Sequence, residues 1–188
     1  MTKKVRTPWG TADNSREVAE GVTWHSTPSH GGFQLSRQRM TTVRNKFPGL
    51  ETFAGGPWFE EDCDWCFVAL TFPELFKSQD LKAAESTLRN NSPKHWEHIY
   101  GRELQPGESS TKDRERFEAE NANNLCVVSA SGDWKKGVPK GMVEVTVTIG
   151  RQRDLSKARK FLVPQEDYDT RKTYYAFVVD PCKYIEVA

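Results

Sequence analysis

The amino-acid sequence predicts an α+β protein, in which strands from both ends of the chain form a mainly antiparallel sheet and a central group of helices lies between them. Two observations predict this class. Apolar and polar residues alternate near both ends of the chain, and residues 79–123 carry helical capping signals. The 188 residues, 36% of them hydrophobic, suffice to bury a core without covalent staples. We expect a single domain over residues 1–188, with a helical insertion-like segment at 78–123.

The N-terminal elements are a strand, a turn and a second strand. Residues 22–27 alternate between apolar and polar side chains, as a half-buried strand does. Residues 28–32 have turn composition, with Pro, Ser and two Gly, and residues 33–35 resume an extended pattern. Ser36 then predicts the cap of a short helix that continues to about Lys46, where Pro and Gly follow.

The next apolar segment predicts a mostly buried helix from Phe59 to Leu70. At about 100° per residue, the apolar residues share one broad face, and Glu60 and Asp64 fall on a narrow polar stripe. Asp62 falls on the apolar side, where an ionised carboxylate needs a partner or a shifted pKa. We therefore expect Asp62 to point inward, towards the helix end, an Arg or a His such as His30.

Helix-capping residues and the alternation of apolar and polar residues also predict the helices and strands of the rest of the chain. Short turns join the strands of the final third, which favours antiparallel pairing. Within one of these strands, we expect the face formed by Val143, Val145, Val147 and Ile149 to be buried. Helices are expected at 79–90, from Pro93 and at 110–122, and strands at 125–130, 141–149, 160–163 and 174–179.

Composition and charge argue against several classes of function. The chain holds 27 Lys and Arg against 26 Asp and Glu, a formal net charge of +1. A mimic of the whole DNA surface needs a large acidic excess, and a non-specific nucleic-acid binder usually carries a basic one. No apolar run reaches the ~18 residues of a membrane span, and the start lacks a signal-peptide pattern. We therefore expect a cytoplasmic protein with no membrane contact and with reduced cysteines.

The turn at residues 27–32 is the first candidate site, because it places a histidine and hydroxyl groups between two strands. His30 is a candidate catalytic acid or base, or a metal ligand, and Ser29 is a candidate binding residue. The glycines that follow let the backbone approach a ligand closely. The alternative is a structural bend in which Ser29 and His30 bond to the local backbone.

The segment 60–65 is the second candidate site, and it lies in a stretch, residues 51–74, that holds acidic residues but neither Lys nor Arg. The candidate catalytic residues are Asp62 and Glu61, and the candidate binding residues are Glu60, Asp64 and Trp65. Stabilisation of a helix N-terminus by acidic residues is the alternative. Glu60 and Asp64, four residues apart, could chelate a hard cation together with further oxygens. The sequence offers no second ligand cluster, so we predict neither a metal nor a cofactor.

Basic residues near the C-terminal strands form a third candidate site, for direct contact with nucleic acid. The candidate binding residues are Trp134, Lys135, Lys136, Arg151 and Arg153. Basic side chains beside an aromatic ring suit a nucleic-acid backbone and a stacked base. A solvated rim of a hairpin is the alternative. Cys63 and Cys66 lack the second cysteine pair of a structural zinc site, and the sequence contains no phosphate-binding glycine motif.

A set of short motifs is spread over most of the chain. They are TPWG at 7–10, TPSHGG at 27–32, WFEEDCDW at 58–65, FPELF at 72–76, SGDW at 131–134, VPKG at 138–141 and FLVP at 161–164. In these motifs the chain resembles a family of uncharacterised proteins encoded by phages and plasmids, a domain of unknown function. The resemblance implies a mobile-element protein that acts in the bacterial cytoplasm, and small proteins of that origin often oppose host defences.

These observations lead to three hypotheses of function. The first is a counter-defence factor, antirestriction or anti-CRISPR-like, that binds a host protein or a protein–nucleic-acid complex. The second is a small hydrolase of nucleic acid or of a nucleotide, which uses His30 with acidic residues of 60–64. The third is a nucleic-acid-binding protein. The oligomeric state is left open. The first two hypotheses both predict that the turn at 27–32 and the segment 60–65 lie close together in space.

Overall fold

The computed structural model describes residues 4–171, 173 and 175–187, and the chain divides into two compact units, Met1–Thr111 and Lys112–Ala188. The α+β class is confirmed, because helices and antiparallel sheets make up the protein. The prediction of one sheet formed by strands from both ends of the chain is wrong, because the N-terminal and C-terminal strands pair in separate sheets. Among the described residues, no helix has the length and the apolar character that crossing a membrane requires.

The first unit contains antiparallel sheets and helices. Its elements are β1 (Arg6–Thr7), β2 (Gly10–Thr11), β3 (Asn14–Ala19), β4 (Val22–Ser26), β5 (Gly31–Leu35), α1 (Arg37–Lys46), β6 (Trp58–Glu60), α2 (Trp65–Thr71), α3 (Ser78–Asn91) and α4 (Pro93–Tyr100). β1 pairs with β2, and the larger sheet has the order β3-β4-β5-β6. The predicted helices α1, α3 and α4 are confirmed. The Ser36 hydroxyl accepts the N–H of Arg39, as its role as a cap predicts.

A tight turn between β4 and β5 holds residues 27–30. Ser26 pairs with Gly31 across the two strands, so four residues close the hairpin. The N–H of Thr27 donates to the carbonyl of His30 at 2.7 Å. The Thr27 hydroxyl donates to that carbonyl and accepts the N–H of His30. The backbone of the turn is therefore fixed by Thr27, while the His30 side chain extends to the surface.

The predicted helix from Phe59 to Leu70 is wrong in its first half. Residues 58–60 form β6, in which Phe59 pairs with Phe33 of β5 and is fully buried. A turn follows, and α2 begins only at Trp65. A short apolar run fits a buried strand as well as a buried helix, and long-range pairing with β5 decides between them here.

The core of the first unit is rich in aromatic residues. Phe47, Phe59 and Leu88 are fully buried and belong to one apolar cluster. The ring of Phe47 meets the ring of Phe67 edge-on, with the centroids 4.9 Å apart. Such pairs contribute about 0.5–1.5 kcal/mol beyond the burial of their area. This cluster joins α1, α2 and α3 to the larger sheet.

The second unit is built around another antiparallel sheet. Its elements are α5 (Ser110–Glu120), which starts just before the division at Thr111, β7 (Leu125–Ser131), β8 (Met142–Ile149), β9 (Arg159–Pro164), α6 (Gln165–Tyr168), β10 (Val178–Val179) and β11 (Ile185–Val187). The strand order is β10-β7-β8-β9-β11. The predicted helix at 110–122 and the predicted strands at 125–130, 141–149 and 160–163 are confirmed.

The predicted buried face of β8 holds except at the last residue of the strand, and the predicted strand at 174–179 is shorter than expected. Val143, Val145 and Val147 are buried, as predicted, but Ile149 is 53% exposed. β8 ends at Ile149, and the turn at 150–151 leads the chain away from the sheet. The predicted strand at 174–179 is reduced to the short β10, and Tyr174 lies outside the described residues.

Replacing Phe47 by Ala should destabilise the protein by about 3–5 kcal/mol, because the change empties a fully buried aromatic position. Phe53→Ala is the matched control, since Phe53 is 80% exposed and its loss should change stability by about 0.5 kcal/mol or less. Urea unfolding followed by tryptophan fluorescence measures both. Equal losses of stability for the two variants would contradict the assigned core.

Candidate functional site

The turn at 27–32 and the acidic segment at 60–65 are adjacent, so the prediction that they meet is confirmed. Gly32 of β5 pairs with Glu60 of β6. The N–H of Glu61 donates to the carbonyl of Gly31 at 3.1 Å. The last residues of β6 therefore lie directly beside the start of β5.

His30, Glu60 and Asp62 form the candidate site at this junction. Nδ1 of His30 lies 3.9 Å from Oε1 of Glu60. One ligand atom from each of the three residues lies within 4.8 Å of the other two. Ligands at ~2.0–2.6 Å from a shared cation are roughly 3–5 Å apart, so small side-chain rotations bring this set around one ion.

Glu60 is the fixed member of this set. The residue is 5% exposed, and its side chain is 7% exposed. Oε2 accepts the backbone N–H groups of Asp62 at 2.7 Å and of Cys63 at 3.1 Å, and the thiol of Cys63 also donates to it. These bonds orient the carboxylate so that Oε1 faces His30. His30 and Asp62 are exposed, so the site opens to solvent.

Because Gly31 and Gly32 lack side chains, other residues of the protein pack closely against the backbone of β5. A Cβ atom on Gly31 would lie 2.6 Å from Oε2 of Glu61. A Cβ atom on Gly32 would collide with the Phe59 carbonyl and with the ring of Trp9. At these glycines, Glu61 and Trp9 therefore approach the strand closely.

The inward position predicted for Asp62 is wrong, because residues 60–64 are not helical. Asp62 is exposed, whereas Glu60 and Asp64 are buried. Asp64 accepts the N–H of Phe53 at 2.7 Å and fixes the preceding loop, and burial raises the pKa of its carboxyl group. Glu60 and Asp64 therefore do not share one face of a helix, where they could have chelated a cation, and Glu60 lies near His30 and Asp62 instead.

The other candidate residues of the first unit surround this site or support it. Ser29 is exposed in the turn. Trp65 is half-buried and packs against the core, with its ring centroid 6.4 Å from that of Phe76. Burial raises the pKa of the Cys63 thiol to about 12, and the charges of Asp64 and Glu60 add to the effect. Cys63 is therefore a protonated thiol at neutral pH.

The candidate residues of the second unit differ in their surroundings. Trp134 is 80% exposed, and Lys136 and Arg153 are also exposed. Lys135 pairs with Glu144 at 2.6 Å, and Arg151 pairs with Glu118 at 3.0 Å.

The sequence analysis missed Arg114 and Glu118 on α5. These residues lie beside Arg151 and Arg153 in the second unit. In the sequence these residues form a charged helical face, and that pattern does not distinguish a face exposed to solvent from one that lines a groove.

Iodoacetamide should modify Cys182 well before Cys63, because Cys182 is exposed and a thiol with a pKa of about 12 is ionised to roughly one part in 10,000 at about pH 8. The Asp64→Asn variant removes a nearby negative charge and keeps an acceptor for the Phe53 N–H, so it should speed the modification of Cys63. Mass spectrometry of EDTA-treated protein measures both rates. An unchanged Cys63 rate in Asp64→Asn would contradict the assigned electrostatics.

Comparison with known proteins identifies a family for residues 2–122, a range that continues past the first unit into the second. No curated protein and no solved structure matches the chain. Residues 2–122 match a family described as "Domain of unknown function (DUF7007)". The matched region is more than half of the chain and includes His30, Glu60 and Asp62. The chain therefore belongs to the DUF7007 family, a domain of unknown function.

Proposed function

We propose that the protein is a hydrolase of a phosphate ester in a nucleotide or a nucleic acid, and that a divalent cation held by His30, Glu60 and Asp62 carries the reaction. The observation that supports it most strongly is the convergence of one imidazole and two carboxylates within 4.8 Å. In this proposal His30 is a ligand rather than the acid or base of the reaction.

The composition of the ligand set favours Mn²⁺ or Zn²⁺. Imidazole suits Zn²⁺ and other transition metals, and carboxylates suit Mn²⁺ and Mg²⁺, so one His with two carboxylates fits an ion that accepts both. Catalytic sites commonly use three protein ligands and leave a position for water or substrate. The exposure of His30 and Asp62 leaves that position accessible from solvent.

The arrangement of Glu60 supports a preorganised site. Its Oε2 atom is already committed to the backbone of residues 62 and 63, so Oε1 is the oxygen that faces the other ligands. A buried carboxylate held by backbone N–H groups keeps its position when a ligand leaves. The desolvation of Glu60 also strengthens its attraction for a cation.

A cation in this position would lower the pKa of a bound water and polarise a phosphoryl oxygen. Hydrolysis would add one water across the bond between phosphorus and the leaving oxygen, with the hydroxyl group going to phosphorus and the proton to the leaving oxygen. The products are a phosphate monoester or free phosphate and an alcohol.

Hydrolysis of bis(p-nitrophenyl) phosphate tests this proposal. The EDTA-treated protein should be inactive, and added Mn²⁺ should restore release of p-nitrophenol. His30→Ala and Asp62→Asn should each lower the rate roughly 100-fold or more, since a metal ion contributes several kcal/mol to such a reaction. Glu74→Gln is the matched control, because it removes an exposed acid of the same unit that is not part of the site.

Thermal unfolding of the same proteins separates loss of the site from loss of the fold. Mn²⁺ should raise the midpoint of wild type and of Glu74→Gln, and it should leave His30→Ala unchanged. Glu60→Gln keeps an oxygen that accepts the backbone N–H groups and should fold normally without binding the ion. Activity that survives EDTA, or equal activity in His30→Ala and wild type, would refute the proposal.

A further inference from the structure

A groove with an excess of positive charge lies in the second unit. It is lined by Arg114 and Glu118 of α5, Val128 of β7, and Arg151, Arg153 and Leu155 of the segment after β8. We call it the arginine groove, and its volume is about 570 Å³. This groove lies outside the segment matched by the family, except for the helix α5.

The backbone of Arg151, beside this groove, has an unfavourable conformation. Its φ of 55° and the φ of 59° at Gly150 place both residues in the left-handed region, and the N–H of Gln152 donates to the Ile149 carbonyl. This region is sterically unfavourable for a residue that carries a side chain. A Cβ atom on Gly150 would lie 2.7 Å from the Ala122 carbonyl oxygen, so glycine is needed there.

Two hydrogen bonds offset the strain at Arg151 and fix its guanidinium. Nε donates to the Val127 carbonyl at 2.9 Å, and Nη1 donates to Glu118 at 3.0 Å. The side chain is mostly buried, with 16% exposed. β7 carries a bulge between Val127 and Ser129, next to this contact. Bulges and left-handed residues of this kind concentrate at functional sites.

The remaining arginines of the groove are not neutralised. Glu118 pairs with Arg151, whereas Arg114 and Arg153 have no ion-pair partner among the residues that the structure describes. The groove therefore carries more guanidinium than carboxylate charge. Guanidinium groups bind phosphate oxygens through paired N–H donors and stack on planar bases.

We propose that the arginine groove binds the phosphate backbone of a single-stranded nucleic acid. Arg114 and Arg153 contact phosphates, Arg151 shapes the groove, and Leu155, 60% exposed, offers an apolar surface to a base. Binding of this kind combines a positive groove with sequence-tolerant contacts to bases. The inference goes beyond the proposed hydrolase, because it concerns the second unit and holds whether or not the cation site turns over a substrate.

Fluorescence anisotropy with a fluorescein-labelled oligothymidine and EDTA-treated full-length protein tests the groove. The double variant Arg114→Gln, Arg153→Gln should bind about tenfold more weakly than wild type. The slope of log affinity against log salt concentration should fall by about 1.4, because each phosphate contact on a single strand contributes ~0.7. Arg151 is left intact, because its side chain also holds the Val127 carbonyl.

The control removes equal charge elsewhere in the second unit. Lys140→Gln, Lys160→Gln takes away two exposed positive charges that do not line the groove, and it should bind as wild type does. Thermal unfolding checks that both double variants are folded. The proposal is overturned if wild type does not bind, if the control loses as much affinity as the groove variant, or if polyglutamate displaces the oligonucleotide as well as unlabelled oligothymidine does.

Discussion

The buried carboxylate of Glu60 is the interaction on which the first unit's surface chemistry depends. Glu60 stands at the end of β6, opposite Gly32, and its Oε2 atom accepts the N–H groups of Asp62 and Cys63. These bonds end the strand and turn the chain, so that Asp62 comes back towards the same carboxylate. Because a buried charge without partners is strongly unfavourable, the fold and the position of this acid are tied together.

One consequence is that residues distant in sequence share a small volume. His30 lies in the turn between β4 and β5, and the pairing of β5 with β6 places Glu60 and Asp62 beside that turn. The sheet therefore fixes how close the backbones of these residues lie, while the exposed side chains of His30 and Asp62 remain free to rotate towards an ion. Backbone pairing thus brings the turn at 27–32 and the segment 60–65 together in one site.

Local patterns predicted much of the secondary structure, and the errors have physical causes. The Ser36 cap and the alternating valines of β8 are local signals, and both predictions are confirmed. The assignment at 59–70 failed because a strand there is decided by pairing with Phe33, a distant residue.

That single error had two effects on the predicted site. With residues 59–70 assigned to a helix, Asp62 was expected to point inward and Glu60 to face solvent. The observed burial is the reverse. The meeting of the two motifs was nevertheless predicted, from a loop of polar groups and a carboxylate expected to point inward, although the carboxylate that does so is that of Glu60 and not that of Asp62. The partition of the strands into separate sheets depends on long-range contacts that no local pattern encodes. The counter-defence hypothesis rests on the family resemblance and stays a prediction.

The central claim is that His30, Glu60 and Asp62 bind one divalent cation. X-ray diffraction from crystals soaked in MnCl₂ tests it most directly, because manganese gives an anomalous signal that locates the ion without assumption. The account predicts an anomalous peak in contact with Nδ1 of His30, Oε1 of Glu60 and a carboxylate oxygen of Asp62. Manganese bound elsewhere in the crystal, with no peak between these three side chains, would contradict it.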